Sequence, residues 1–349
     1  MSRRRHVYLT EKAPARSIKQ RIAISLAWTF SNITRVTPLR VGYMISDRVG
    51  DLLYWRSRRY RLNVIDNLRH VYGAGIGELQ LRRQARRVFR TSARNFWDLC
   101  RVPHLDRDEF LANIRLPVND WSLLDRIKAN GTGGIIVTGH IGAFDVVGQS
   151  LFIRGYHPYV LTSPTVGEFV YAGVNYLRLS HGAPLEDISP AAIRRMMRVL
   201  RNGGFVGFVA DRDFTDSGEI VEFFGVETTL PTGPIKMARA TGTPIIAVFA
   251  MREEENGKGH HYAFHIHDPI YVARTDDMTH DVALGMQQLF AVFEENLVRA
   301  PEQWVMFQRV WADDVPRRAR KSPRRSVRTR VADVDEPLDP SLLASENAG

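Results

Sequence analysis

The sequence predicts an α/β fold, a central mostly parallel or mixed sheet flanked by helices and preceded by an N-terminal helical segment. Three observations carry that expectation. Short apolar runs over 135–137, 205–210 and 244–251 alternate with stretches of helical periodicity, as expected for strands buried on both faces. Glycines punctuate the ends of the helical stretches, at Gly131, Gly155, Gly203, Gly204 and Gly242. With 349 residues and 44% hydrophobic content, the chain is able to bury one large core or two modest ones.

Taken in order, the elements begin with an uncharged run over 22–34, bounded by Arg21 and Arg35. It is shorter than the ~20 apolar residues that span a bilayer, and no small-residue cleavage site follows it. Residues 41–55 place Tyr43, Met44, Val49, Leu52, Leu53 and Trp55 among charges, as an amphipathic helix does. Helical periodicity continues over 61–99, a connector occupies 103–117, and a short helix over 121–129 ends at Gly131. Next come a strand over 135–137, a helix over 143–154, a strand over 159–162 and a helix over 168–180. A helix over 191–202 is halted by Gly203 and Gly204 before the strand over 205–210. Pro231 to Pro234 open another helix and Gly242 lies beyond it, the usual proline-first, glycine-last asymmetry. Strands over 244–251 and 261–267 are joined by a turn with Gly257 and Gly259, and a helix follows over 282–297. Trp304, Phe307 and Trp311 read as packing aromatics, and apolar periodicity stops after Pro316. The expected organisation is a basic amphipathic segment over 1–60, an α/β domain over 61–315 and a disordered tail over 316–349.

The stretch over 132–148, TGGIIVTGHIGAFDVVG, concentrates the chemistry. On one continuous helix residues five apart lie about 140° apart, so His140 and Asp145 meet only if the histidine sits in the turn before the helix. Gly139 and Gly142 permit that turn. Asp145 is then expected to accept from one imidazole nitrogen and leave the other as a general base. A second buried strand ends in Asp211, Arg212 and Asp213. If the two strands are parallel neighbours, His140 and the Asp211–Arg212 pair share one cleft.

HIGAFD is similar to the HxxxxD motif of the glycerolipid and lysophospholipid acyltransferase superfamily. The blocks GGFVGFVADRDFTDSG, VEFFGVETTLPTGPIKMARATGTPIIAVFAMRE and PEQWVMFQRVW narrow the resemblance to the bacterial branch of lipid A late acyltransferases and phosphatidylinositol mannoside acyltransferases, over about residues 60–311. Asn63, Asn67 and Leu68 look like an NL-containing segment of that family. The resemblance implies transfer of an acyl chain from acyl-CoA or acyl carrier protein to a hydroxyl of a membrane glycolipid, with His140, Asp145 and Asp211 as catalytic residues. Substrate contacts are then expected from Arg212, which suits a phosphate or a developing oxyanion, and from Arg178, which resembles an arginine of relatives. Thr232 and Gly233 at a helix start suit an anion, and Glu222 is a rival carboxylate. Lysophospholipid or glycerolipid acylation is an alternative, as is a non-catalytic basic protein binding membrane or nucleic acid on the same scaffold.

Several function classes are excluded or disfavoured. There is no GxxxxGK[ST] phosphate loop, no dinucleotide fingerprint and no GxSxG elbow, so no cofactor is expected beyond the acyl donor as co-substrate. The single cysteine, Cys100, excludes an internal disulfide framework. His261, His265 and His267 share one strand face, but acidic and cysteine partners are not arranged nearby, and no metal is expected. The net charge of +10 sits at the ends: residues 1–60 hold 13 Lys or Arg against 3 acids, and the chain after Pro316 holds 8 against 5. Basic ends suit a polyanion, either an anionic membrane surface or nucleic acid. The lipid substrate that the resemblance implies favours the membrane, with no specific nucleic acid expected and a peripheral location at the cytoplasmic face of the cell membrane.

Overall fold

The computed structural model describes residues 17–311 except 105, 118, 163–166, 180–184, 214–217 and 256–258. The expected tail, the Gly257 turn and the end of the 168–180 helix lie outside the described residues. The chain divides into two units, 1–315 and 316–349, and every described residue belongs to the first.

Four helices come first: α1 Ile18–Val36, α2 Leu39–Arg56, α3 Arg58–Tyr72 and α4 Glu78–Arg101. Ser17 and Gln20 cap α1 reciprocally in a capping box. The uncharged run therefore lies inside a helix that extends four residues before it and two beyond. After α5 Arg107–Ala112, β1 Ile114–Arg115 and α6 Trp121–Ala129, the βα units begin with β2 Gly134–Thr138 and α7 Phe144–Ile153. They continue through β3 Tyr159–Thr162, α8 Glu168–Arg178, β4 Leu185–Asp187, α9 Pro190–Arg201 and β5 Phe205–Val209. A hairpin of β6 Glu219–Phe223 and β7 Val226–Leu230 leads to α10 Gly233–Thr241. The chain then adds β8 Ile245–Glu255, β9 Gly259–Ile266 and α11 Met278–Arg299.

Seven strands form one sheet in the order β1-β9-β8-β2-β5-β3-β4. Five of them, β8 through β4, run parallel, whereas β9 is antiparallel to β8. Strand alternation divides the core into two layers. Ile135, Val137, Val206 and Ala247 face Phe290 and Phe293 of α11, while Ile136, Phe205, Ile246 and Val248 face Val147 and Leu151 of α7. β2 and β5 pair in register from Gly134↔Phe205 to Thr138↔Val209, so the segments that leave them emerge side by side. The condition for one shared cleft is met.

α2 is fastened to α4 by ion pairs. Asp51 of α2 accepts from Arg86 and Arg90 together, at 2.5–2.8 Å, and Asp47 accepts from Arg94 at 2.7 Å. Hydrogen bonds from Arg90 and Arg86 hold the Asp51 carboxyl well below the usual carboxylate range, against the upward push of burial. Among the described residues no helix is long and apolar enough to cross a membrane. Yet α1 and α2 leave Ile18, Leu26 and Trp28, then Met44, Leu52 and Trp55, exposed on their surfaces.

Because the folded-state pKa of Asp51 is depressed, its stabilising contribution is complete above the ordinary carboxylate value and is lost as pH falls through the folded one. Asp51→Asn is expected to cost about 1–3 kcal/mol at pH 7. Thermal melts of wild type and variant should converge as pH drops below about 4, and a constant gap down to pH 3 would show that the carboxylate charge is not what holds α2 to α4.

Candidate active site

The site is built where β2 and β5 end. Gly142, with φ +61°, lets the chain turn between β2 and α7 where a Cβ would meet the Ala250 carbonyl oxygen at 2.0 Å. His140 stands in that turn, before α7, as its spacing from the helix requires. Its Nδ1 lies 2.8 Å from Asp211 Oδ1, and its backbone amide donates to Asp211 Oδ2 at 2.7 Å. Trp304 Nε1 donates to the same Oδ2 at 3.0 Å.

Asp211 is 1% exposed. Burial alone would push its carboxyl upward, but the charge and ring hydrogen bond of His140, the Trp304 indole and the His140 amide bring it below the ordinary value. An ionised carboxylate only accepts, so the proton between the two groups belongs to Nδ1. Nε2 is left as the proton acceptor of the ring.

Here the structure corrects the sequence expectation. The partner of His140 is Asp211, and Asp145 instead accepts from Arg178 Nε at 2.7 Å. Asp145 lies in the first turn of α7, where the C-terminal end of α8 brings Arg178 against it. Gln149 fixes the same helix end by donating to the Arg178 carbonyl at 3.0 Å. Glu222 is also displaced from its expected role: strand alternation buries Val221 and Phe223 and turns Glu222 outward opposite Glu227 on the hairpin. It does not line the site cavity.

That cavity has a volume of about 570 Å³ and is walled mainly by apolar side chains of α4, α7, α8, β3 and β5. His140, Asp145, Arg178, Arg212, Thr232 and Gly233 all reach it. Burial draws the Arg212 guanidinium below its ordinary value, against the opposing influence of Asp211 and Tyr60. Thr232 is the N-cap of α10, so the first backbone amides of that helix begin at the cavity wall.

Three contributors escape a reading of the sequence. Trp304, which reads as a packing aromatic, donates to Asp211 and also belongs to an aromatic cluster with Phe223 and Trp311. Its neighbour Gln303 accepts from the Gly142 amide through its carbonyl, and the Val305 amide donates to the His140 carbonyl, so the 303–305 segment straps the histidine turn. The signal was present in the PEQW block, but it named no partner. Asn67 holds the following residues, donating to the Met306 and Gln308 carbonyls and accepting from the Val310 amide.

The third contributor is a buried polar network. Arg252, 4% exposed in its side chain, donates to Asp98 Oδ2 at 2.5 Å, Asn95 Oδ1 at 2.8 Å and Tyr43 Oη at 3.2 Å. Tyr43 in turn donates to Asp98 at 2.8 Å, and Asn95 Nδ2 donates to the Gly142 carbonyl at 2.7 Å. α2, α4, β8 and the histidine turn thus share one set of hydrogen bonds. His267 is paired with Asn296 and His261 with Glu253, and among the described residues no group of three or more His, Cys, Asp or Glu could hold a metal ion. Cys100 is buried, and burial pushes its thiol up to about 12.

Comparison with known proteins gives two findings. The model of the bacterial lipid A biosynthesis acyltransferase family matches residues 9–313. The phosphatidylinositol mannoside acyltransferase of Mycobacterium tuberculosis strain H37Rv is 27% identical over 224 residues, 63% of this chain and 68% of the relative. A protein of the same name from Mycolicibacterium smegmatis is 28% identical over 236 residues, 65% of this chain and 73% of the relative.

Removing one partner of a buried pair strands the other, at a typical cost of about 3–5 kcal/mol. Arg252→Met is expected to lower stability to urea by that amount, and adding Asp98→Leu should restore much of it. Equal stability of Arg252→Met and wild type would mean that the network does not hold the turn.

Proposed function

This chain belongs to the bacterial lipid A biosynthesis acyltransferase family and is a glycolipid acyltransferase, and from that premise we propose a donor, an acceptor, a mechanism and a location. The donor is acyl-CoA or acyl carrier protein, and the acceptor is a hydroxyl of a phosphatidylinositol mannoside-like glycolipid. A lipid A precursor is the alternative acceptor. The single observation that carries the mechanism is the buried Asp211 carboxylate holding His140 at an apolar cavity.

In this reading Nε2 of His140 takes the proton of the acceptor hydroxyl as its oxygen attacks the thioester carbonyl carbon. The Asp211 carboxylate stabilises the imidazolium that forms, without taking the proton. Arg212 stabilises the oxyanion of the tetrahedral intermediate. When the C–S bond breaks, the imidazolium returns its proton to the departing thiolate, and ester and thiol are released. The apolar walls receive the acyl chain. Arg178, oriented by Asp145, and the amides at Thr232 and Gly233 suit phosphate groups of donor or acceptor.

General-base assistance is typically worth about 10²–10⁴ in rate. His140→Ala and Asp211→Asn are each expected to fall in that range while keeping the wild-type circular dichroism spectrum. The assay is transfer of a labelled palmitoyl group to a panel of phosphatidylinositol mannosides, lipid A precursors and lysophospholipids, read by mass spectrometry. Near wild-type transfer by His140→Ala would sink the mechanism, and thioester cleavage without acylated product would redirect the reading to hydrolysis.

Peripheral attachment at the cytoplasmic face of the membrane is supported by the exposed apolar residues of α1 and α2, set among basic ones. Replacing Trp28 and Leu52 together by Glu is expected to cut cosedimentation with vesicles containing anionic lipid by about tenfold or more. Unchanged cosedimentation would assign those residues another role.

A further inference from the structure

Gly148 sits in the middle of α7, where glycine is less favourable than alanine because the unfolded chain loses more freedom on entering the helix. The usual reasons for such a glycine do not apply. Its φ is not positive. Nothing packs where its side chain would be, since a Cβ built at 148 has no heavy atom within 4 Å. Other cavity glycines differ: at Gly207 a Cβ would stand 2.9 Å from Val160 Cγ2, so close packing explains that one. Gly148 faces open space, and the space is the cavity.

Its place along the cavity gives the space a meaning. Phe144, Asp145, Gly148, Leu151 and Phe152 of α7 line the cavity at helical spacing, and Ile136 and Thr138 of β2 line it as well. The lining runs along α7 from Phe144 and Asp145 in its first turn to Phe152 in its last. At 1.5 Å rise per residue, Gly148 lies about 4–5 Å beyond Asp145, with Phe152 about 6 Å further on. A side chain at 148 would enter the cavity between those two turns of the helix.

We propose that Gly148 is the specificity-determining residue for acyl chain length, its missing side chain keeping the cavity open beyond the first turn of α7 so that a long chain is accepted. This rests on the reading above that the acyl chain occupies the cavity. The residue touches no reacting atom. It acts by leaving room for the distal methylenes, whose contacts contribute to transition-state binding only when the chain lies at full depth.

The test is kcat/KM for acyl-CoAs of six to eighteen carbons with wild type, Gly148→Ala and Gly148→Leu, beside thermal melts. For Gly148→Leu the value with palmitoyl-CoA is expected to fall about 100-fold, while that with hexanoyl- and octanoyl-CoA stays within about threefold of wild type. Gly148→Ala should melt at a higher temperature than wild type and yet lower the ratio of palmitoyl to octanoyl transfer several-fold. That combination separates chain selection from damage to the fold, and it stands even if Gly148→Leu does not fold. A chain-length profile unchanged in Gly148→Ala and Gly148→Leu would overturn this proposal alone, as would an equal loss at every length. No acyl transfer by the wild type from any donor would overturn the reading of the cavity and this proposal with it.

Discussion

The Asp211 carboxylate is the charge around which the site is arranged. An ionised group removed from water costs several kcal/mol unless hydrogen bonds replace its hydration. Here the replacement comes from two separate segments, with the ring and amide of His140 on one side and the Trp304 indole on the other. Each donor needs a different part of the fold in place. The in-register pairing of β2 with β5 brings the histidine turn beside Asp211, and the strap at 303–305 delivers the tryptophan. Satisfying one buried carboxylate therefore fixes three chain segments against one another, and the same bonds settle which imidazole nitrogen carries the proton.

A second buried charge extends that order outward. Arg252 joins Tyr43 of α2 and Asp98 of α4 to β8, and through Asn95 the network reaches the Gly142 carbonyl. Gly142 has no side chain and a positive φ, so its position depends on its backbone partners, which are Asn95 on one face and the Gln303 carbonyl on the other. α2, which exposes leucine and tryptophan, is thus connected to the histidine turn by hydrogen bonds.

Much of the fold was legible because it is local. The strand over 159–162 has the expected bounds, and the longer helices and strands from residue 121 to 299 follow from apolar runs and their glycine stops, except the hairpin of β6 and β7, which was not among the expected elements. β1 and β4, of two and three residues, are too short to carry a period. The site was legible in its residues more than in its pairings. His140, Arg178, Arg212, Thr232 and Gly233 do reach one cavity. The partner assigned to His140 differs because spacing along the chain selects the nearest carboxylate in sequence, whereas the nearest in space arrives from β5, 71 residues away. Trp304 reads as packing for the same reason: an aromatic in an apolar stretch fits the core whether or not its N–H has a target.

Asp145 and Asp211 show why two carboxylates around one histidine need not do one job. Asp211 is sealed from water and faces three N–H donors, an environment that fixes an ionised acceptor in one orientation. Asp145 keeps 17% of its side chain exposed and faces a guanidinium that itself borders the cavity. The first arrangement suits a group that must hold a ring through a proton transfer, and the second suits one that aims a cation at an incoming anion. α7 carries the second device in its first turn and, one turn later, the open position at Gly148. In the proposed reaction a single helix therefore orders charge recognition and chain accommodation along its length, with His140 in the turn before it.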